Sequence, residues 1–155
     1  MQINLSEALN LLKKGEIHKS KDICEKILKK DKKNSEVYNL YGFTLYFDKK
    51  FDEAIISWKK AIDINPRYIE AFNGLGNAFL KLEKIDLAVE NFEEAVKINS
   101  NYFEAYCNLG SAMIKLKKYQ DAIINFEKAI KIKPNYSQAI YGKAYSLMQN
   151  RNYNE

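Results

Sequence analysis

The chain has 155 residues, of which 46% are hydrophobic and 29% charged, and its 25 basic and 20 acidic side chains give a net charge of +5. This apolar content excludes an intrinsically disordered chain, and the scarcity of proline (two) and glycine (six) favours long helices over strands. No secretory signal opens the chain, no run approaches the roughly 18 apolar residues of a membrane span, and only two cysteines occur, so we expect a cytoplasmic protein without membrane insertion.

Residues 1–34 are predicted to form a helix pair that is an atypical copy of a unit seen more clearly later in the chain. They hold nine lysines against five acids, a balance of +4. Ala8 and Leu11 fit the later pattern, whereas Ser20 and Cys24 replace its small and aromatic residues. An atypical terminal unit is typical of a cap on a repeat array.

Three clear copies follow at residues 35–68, 69–102 and 103–136. A period of 34 residues relates four sets of side chains: Ala54, Ala88 and Ala122; Ala61, Ala95 and Ala129; Trp58, Phe92 and Phe126; Gly42, Gly76 and Gly110. A fixed period of this length indicates an array of supersecondary units, each too small to bury its own apolar face.

Each copy is predicted to contain two amphipathic helices of about 13 residues, because apolar residues recur at i, i+3, i+4 and i+7. In the second copy, the second helix covers roughly residues 86–98. Gly76 and Ala88 are predicted to remove bulk where the two helices cross, and Phe92 to fill the flanking space.

The junctions between copies contain turn-forming residues. Pro66 and Pro134 prevent the preceding helix from continuing. The middle copy has Ser100 at this place, which we expect to cap the helix that follows.

Residues 137–155 are predicted to add one more first helix, with Ile140, Ala144 and Leu147 on its apolar positions. This helix is either a terminal lid or the beginning of a truncated unit. We favour the truncated unit, although Lys143 at a normally apolar position is consistent with a lid.

These residues resemble the tetratricopeptide repeat (TPR), whose pattern combines aromatic, Leu, Gly and Ala residues at fixed positions with Pro at position 32. The three copies read Tyr38, Tyr41, Gly42, Leu45, Ala54, Trp58, Ala61, Pro66; Phe72, Leu75, Gly76, Phe79, Ala88, Phe92, Ala95, Ser100; and Tyr106, Leu109, Gly110, Met113, Ala122, Phe126, Ala129, Pro134. The resemblance implies an all-α fold, an α-α superhelix (TPR solenoid) of antiparallel helix pairs, forming a single array over residues 1–155 with about four units and one terminal helix.

The resemblance also implies a concave groove lined by the first helix of each unit, which would bind a peptide or helix of a partner protein. Its expected lining residues are Glu36, Asn39, Phe43, Tyr46 and Phe47; Glu70, Asn73, Asn77 and Lys81; Glu104, Cys107, Asn108, Ser111 and Lys115; and Tyr141 and Tyr145.

Two aromatic patches are candidate anchor sites in this groove. Phe43, Tyr46 and Phe47 form the first patch, and Tyr141 and Tyr145 form the second together with Met148. The alternative is that Tyr46 and Met148 pack along neighbouring helices, or that a missing unit covers the second patch.

A polar floor is predicted between the patches, where Asn73, Asn77, Asn108 and Ser111 could pair with the backbone of an extended peptide. The recurring glutamates at the second position of each unit have an alternative explanation, since acidic residues are favoured in the first turn of a helix.

Recognition of an Hsp70 or Hsp90 C-terminal tail is not expected. TPR domains that bind such tails use a clamp of cations and asparagines, and the best window here matches only Asn77 and Asn108. Asn73, Gln138 and Gly142 occupy the three cationic positions, so a bound carboxylate would be poorly compensated.

Catalytic chemistry is not expected either. His18 is the single histidine, and no phosphate loop, nucleophile–base pair or close Cys pair occurs. We therefore expect a protein that is not an enzyme and uses no metal or cofactor.

A protein–protein interaction scaffold is the favoured function. One alternative is a self-assembling scaffold, a homo-oligomer formed through the open terminal helix. The other is a nucleic-acid-binding helical repeat, which the pI near 9.0 suggests but which two arginines, Arg67 and Arg151, support poorly.

Overall fold

The computed structural model describes residues 4–153, with side chains described up to residue 151. The described residues form nine α-helices and no strand: α1 (Leu5–Lys13), α2 (Ile17–Lys30), α3 (Ser35–Phe47), α4 (Phe51–Ile64), α5 (Ile69–Lys81), α6 (Ile85–Ile98), α7 (Phe103–Lys115), α8 (Tyr119–Ile132) and α9 (Ser137–Tyr153). The predicted all-α fold built from helix pairs is confirmed.

A left-handed residue closes the first helix of each pair, and this feature also recurs every 34 residues. Gly15, Lys49, Glu83 and Lys117 have φ values of 78°, 61°, 58° and 58°. In three of these turns the next residue donates its N–H to the carbonyl five residues earlier, in the pattern of a Schellman cap. These bonds are Glu16 to Leu11 (2.9 Å), Lys50 to Leu45 (2.9 Å) and Lys118 to Met113 (2.9 Å). A common cap therefore fixes each tight turn into the second helix.

The second helix of three pairs ends in a side-chain turn. Asp31, Asn65 and Asn99 each accept a hydrogen bond from the backbone N–H two residues ahead, at 3.0, 3.1 and 2.9 Å. The expectation that Ser100 caps the following helix is wrong. Helix α7 begins after Tyr102 with no side-chain cap, because Asn99 already provides the polar turn one residue before Ser100.

Residues 4–82 form one compact unit that contains α1–α5. Each helix packs on the next in the chain, and the first helices of successive pairs also touch, α1 with α3 and α3 with α5. This arrangement leaves one face of α1 and α3 uncovered by the second helices, and that face contains the site described below.

Trp58 packs between two helical glycines in this unit. Its side chain is fully buried, and Gly42 and Gly74 lie against its ring from α3 and α5. A Cβ at Gly42 would stand 2.6 Å from Trp58 Nε1, which is closer than real contacts allow. The recurring glycine therefore has a more specific role than expected, since Gly42 makes room for the indole of Trp58. No role was predicted for the second glycine, Gly74.

Ser20 has a structural task in the atypical first pair. Its hydroxyl donates to the Ala8 carbonyl at 2.8 Å and lies 3.2 Å from Thr44 Oγ1, so it links α2 to α1 and α3. Cys24 is fully buried beside Ala8 and Leu40, as expected for a small core residue. At Ser20 the departure from the repeat pattern thus adds buried hydrogen bonds, whereas at Cys24 the packing remains apolar.

Residues 83–153 form a second compact unit that contains α6–α9. Phe126 of α8 is buried and lies between Gly110 of α7 and Gly142 of α9. A Cβ at Gly110 would stand 2.7 Å from the ring. The same packing of one aromatic ring between two glycines thus occurs in both units.

Candidate interaction site

An open pocket of about 630 Å³ lies in the first unit, and we name it the α1–α3 pocket. It is lined by Leu9, Leu12, Lys13, Gly15, Ile17, Leu40, Phe43 and Phe47. Six of these eight residues are apolar, and the volume lies within the range of pockets that hold organic ligands or large side chains. The pocket can therefore bury an apolar group supplied from outside.

Only Phe43 and Phe47 of the first predicted aromatic patch line the pocket, although the ring of Tyr46 stays against that of Phe47, 5.8 Å between centroids. Phe47 is 56% exposed at the pocket, and Phe43 is half-buried there with its ring edge against Trp58, 5.2 Å between centroids. Tyr46 instead packs on α4, 5.4 Å from the ring of Phe51 and 6.1 Å from that of Trp58. Burial of its ring raises the pKa of Tyr46. For Tyr46, the alternative of packing against a neighbouring helix describes the structure better than a place in the pocket.

The sequence analysis missed the contribution of α1 to this pocket. Leu9, Leu12 and Lys13 stand 34 residues before Phe43, Tyr46 and Phe47, so the repeat register already marked them as equivalent positions. No groove residues were predicted in residues 1–34, because that copy matches the repeat pattern weakly.

The other expected residues of the first unit differ in accessibility. Glu36, Glu70 and Lys81 are exposed, and Asn77 is half-buried. Asn73 was expected on the polar floor, but only 8% of it is exposed, so it cannot offer its amide to a peptide in this conformation. Asn39 is half-buried and its Oδ1 atom is buried with no hydrogen-bond donor among the described residues.

In the second unit, the expected polar residues line α7. Lys115 is exposed, whereas Glu104, Asn108 and Ser111 are half-buried. The Ser111 hydroxyl donates to the Cys107 carbonyl of its own helix at 3.0 Å, so its proton is already used.

Cys107 does not lie on an open face. It was expected in the groove, but it is buried with Phe126, Ala129 and Ala139, since α9 packs over this side of α7. The groove expectation for Cys107 is therefore wrong.

The second aromatic patch is open to solvent on α9. Tyr141 is 76% exposed, and Tyr145 and Met148 on the same face are about half exposed. Ile140 and Leu147, on adjoining positions, are also exposed. Together these side chains form a substantial apolar surface on the second unit.

The two cysteines are buried thiols. Burial raises the pKa of Cys24 to about 12 and that of Cys107 to about 11, so both stay protonated, poor nucleophiles at neutral pH. Across residues 4–151, no group of three or more His, Cys, Asp or Glu side chains could hold a metal ion. None of the helices described in the structure is both long and apolar enough to cross a membrane.

Family comparison gives a direct answer about the repeat. A family model described as TPR repeat matches residues 45–83 and 76–117, and one described as tetratricopeptide repeat matches residues 103–136. Together the two matches cover residues 45–136, more than half of the chain. The chain belongs to the tetratricopeptide repeat family.

Solved structures similar to this TPR chain support the same fold. The crystal structure of the MamA protein is 26% identical, with a TM-score of 0.80, over 92% of this chain and 78% of that chain. The pilF protein of Pseudomonas aeruginosa is 20% identical, with a TM-score of 0.88, over 96% of this chain and 68% of that chain. No protein with curated annotation matches the sequence.

One similar structure contains a bound peptide. The first TPR of Spaghetti (RPAP3), solved bound to the HSP90 peptide SRMEEVD, is 25% identical with a TM-score of 0.72. The match covers 74% of this TPR chain and 90% of that chain.

Proposed function

We propose that this TPR chain is a protein-interaction scaffold that binds a peptide or helix of a partner protein on the open face of its first helices. The observation that carries the proposal is the α1–α3 pocket, an open apolar surface on α1 and α3 with Phe47 exposed at its edge. Membership of the TPR family and the peptide-bound relative support a protein as the partner.

The pocket supplies the kind of contact that dominates protein interfaces. A partner side chain that buries on the order of 100 Å² of apolar surface here would contribute roughly 2.5 kcal/mol. Exposed aromatic residues beside a pocket are the usual anchors, and the surrounding polar contacts mainly define orientation. Asn77, Glu36 and Glu70 are the accessible polar groups of this unit that could serve that purpose.

The proposed partner is not an Hsp70 or Hsp90 tail. Three clamp positions that would need cations hold Asn73, Gln138 and Gly142, none of which can neutralise a terminal carboxylate.

Affinity capture tests the proposal. Beads carrying wild-type protein and beads carrying Phe47→Ala are incubated with native lysate, and bound proteins are quantified by mass spectrometry. We expect the specific partner to fall at least tenfold with Phe47→Ala, since loss of an anchor costs more than about 1.4 kcal/mol.

Phe47 is preferred to Phe43 for this test because Phe43 also packs on Trp58. Ile124→Ala, at a comparably exposed apolar position on α8, is the matched control. Equal capture by wild type, Phe47→Ala and Ile124→Ala would contradict binding at the pocket. Circular dichroism verifies that both variants keep the helical content of the wild type.

Self-association through α9 is a second candidate function. The exposed Tyr141, Tyr145, Leu147 and Met148 motivate it, because a surface of this kind is costly to leave in water. We expect wild type to sediment as a dimer or larger species as concentration rises.

Leu147→Glu places a charge on the exposed α9 face and should shift the sedimentation coefficient to that of a monomer. Asn101→Glu, an exposed loop substitution with the same added charge, should not. A wild-type protein that remains monomeric at high concentration would rule out this function.

A further inference from the structure

The charges around the α1–α3 pocket are not balanced. Lys13 lines the pocket and forms no ion pair with any residue that the structure describes. Lys14 follows it in the chain and is also exposed. The end of the pocket formed by the α1 C-terminus is therefore cationic.

Two acidic groups that adjoin the pocket residues in the chain are already engaged. Glu16 forms an ion pair with Lys19, and that contact lowers the pKa of Glu16. Asp48, which follows Phe47, binds Lys50 at 3.0 Å. Glu36 lies in the first turn of α3, eleven residues before Phe47 and so roughly 16 Å away along the helix. None of these carboxylates compensates Lys13.

The exposed face of α9 from a second copy would not complement this pocket. Residues 137–151 contain no Asp or Glu, and their charged side chains are Lys143 and Arg151. Docking that face here would bury apolar surface but leave Lys13 without an anion. Charge complementarity thus favours a different molecule over the α9 face of a second copy.

We propose that the α1–α3 pocket takes a bulky apolar side chain from an acidic segment of a partner protein, with a carboxylate beside the apolar residue placed against Lys13. The proposal rests on the proposed scaffold function and names the chemistry of its partner. Apolar burial supplies most of the affinity, since an exposed ion pair adds little. The carboxylate orients the segment, because Glu36 and Glu70 elsewhere on the first helices of this unit would repel it.

Three blocked tripeptides test the charge preference directly. Each has a central phenylalanine, flanked by two glutamates, two glutamines or two lysines. They are titrated into the full ¹⁵N-labelled chain at low salt, and the amide signals of Leu9, Gly15 and Phe47 report on the pocket. We expect the glutamate peptide to bind several-fold more tightly than the lysine peptide, with a smaller difference at 0.5 M salt.

Lys13→Gln should remove the preference for the glutamate peptide, while binding of the glutamine peptide should stay within twofold of wild type. Lys33→Gln, an exposed lysine in the loop before α3, is the matched control and should keep the preference. A preference that Lys33→Gln loses as much as Lys13→Gln would overturn the role of Lys13.

Three outcomes distinguish the failure of this proposal from the failure of the scaffold function. Equal binding of the three peptides at the pocket would overturn the acidic partner and leave pocket docking intact. Signals that move only with protein concentration, without peptide, would assign the pocket to a second copy. Absence of any shift at these amides would overturn peptide docking at this pocket, even if lysate capture still depended on another face.

Discussion

At the residue scale, each unit depends on one aromatic side chain held between two glycines. Trp58 lies between Gly42 and Gly74, and Phe126 between Gly110 and Gly142. Glycine inside a helix costs about 1 kcal/mol relative to alanine, so these positions are maintained by the ring that occupies the missing Cβ. The sequence identified Gly42 and Gly110 through the period, but Gly74 and Gly142 only become meaningful once the next helix is packed on the ring.

Gly42→Ala is expected to lower the free energy of unfolding by about 1–2 kcal/mol. The new methyl would overlap Trp58, and Gly74 on the other side of the ring leaves the indole no free direction. The free energy lost through this overlap outweighs the free energy gained from the higher helix propensity of alanine. Urea denaturation measures the change, with Asn77→Ala, at a half-buried position, as the control. A Gly42→Ala protein as stable as wild type would contradict the close packing of Trp58 between the two glycines.

At the element scale, the helices agree closely with the sequence pattern. The helix predicted for residues 86–98 is α6, Ile85–Ile98, and the second-helix aromatics Trp58, Phe92 and Phe126 are buried. The open faces were harder to predict. The helical period places Asn73 and Cys107 next to accessible residues of their helices. Whether a residue at such a position is buried depends on the neighbouring helix, and α9 buries Cys107.

The turns between paired helices give a prediction at this scale. Gly15 adopts a left-handed conformation with no neighbouring atom within 4 Å of a built Cβ, so Gly15→Ala should cost about 1 kcal/mol through the backbone alone. Lys117→Gly, at the equivalent turn, should gain about 0.5–1 kcal/mol because it relieves the strained φ.

Thermal unfolding of the two variants measures both effects against wild type. The two signs are the important result, since a dominant entropy cost of glycine in the unfolded chain would reverse both of them. A destabilised Lys117→Gly protein would contradict the account of this turn.

At the scale of the whole molecule, function depends on which faces the repeats leave open. The period predicted the family and the fold because core positions recur regardless of the partner. It also marks Leu9 and Leu12 as equivalents of Phe43 and Tyr46, but the α1–α3 pocket was not predicted, because their copy departs most from the pattern. The proposed docking pocket is thus formed in part by the copy that departs most from the repeat.

Hydrogen–deuterium exchange of the chain, alone and with its captured partner, tests the central claim that the open face of the first helices binds that partner. The account predicts slower exchange in the complex for peptides covering α1 and the C-terminal half of α3, including residues 9–17 and 40–47. Protection confined to α2 and α4, with α1 and α3 unchanged, would contradict it.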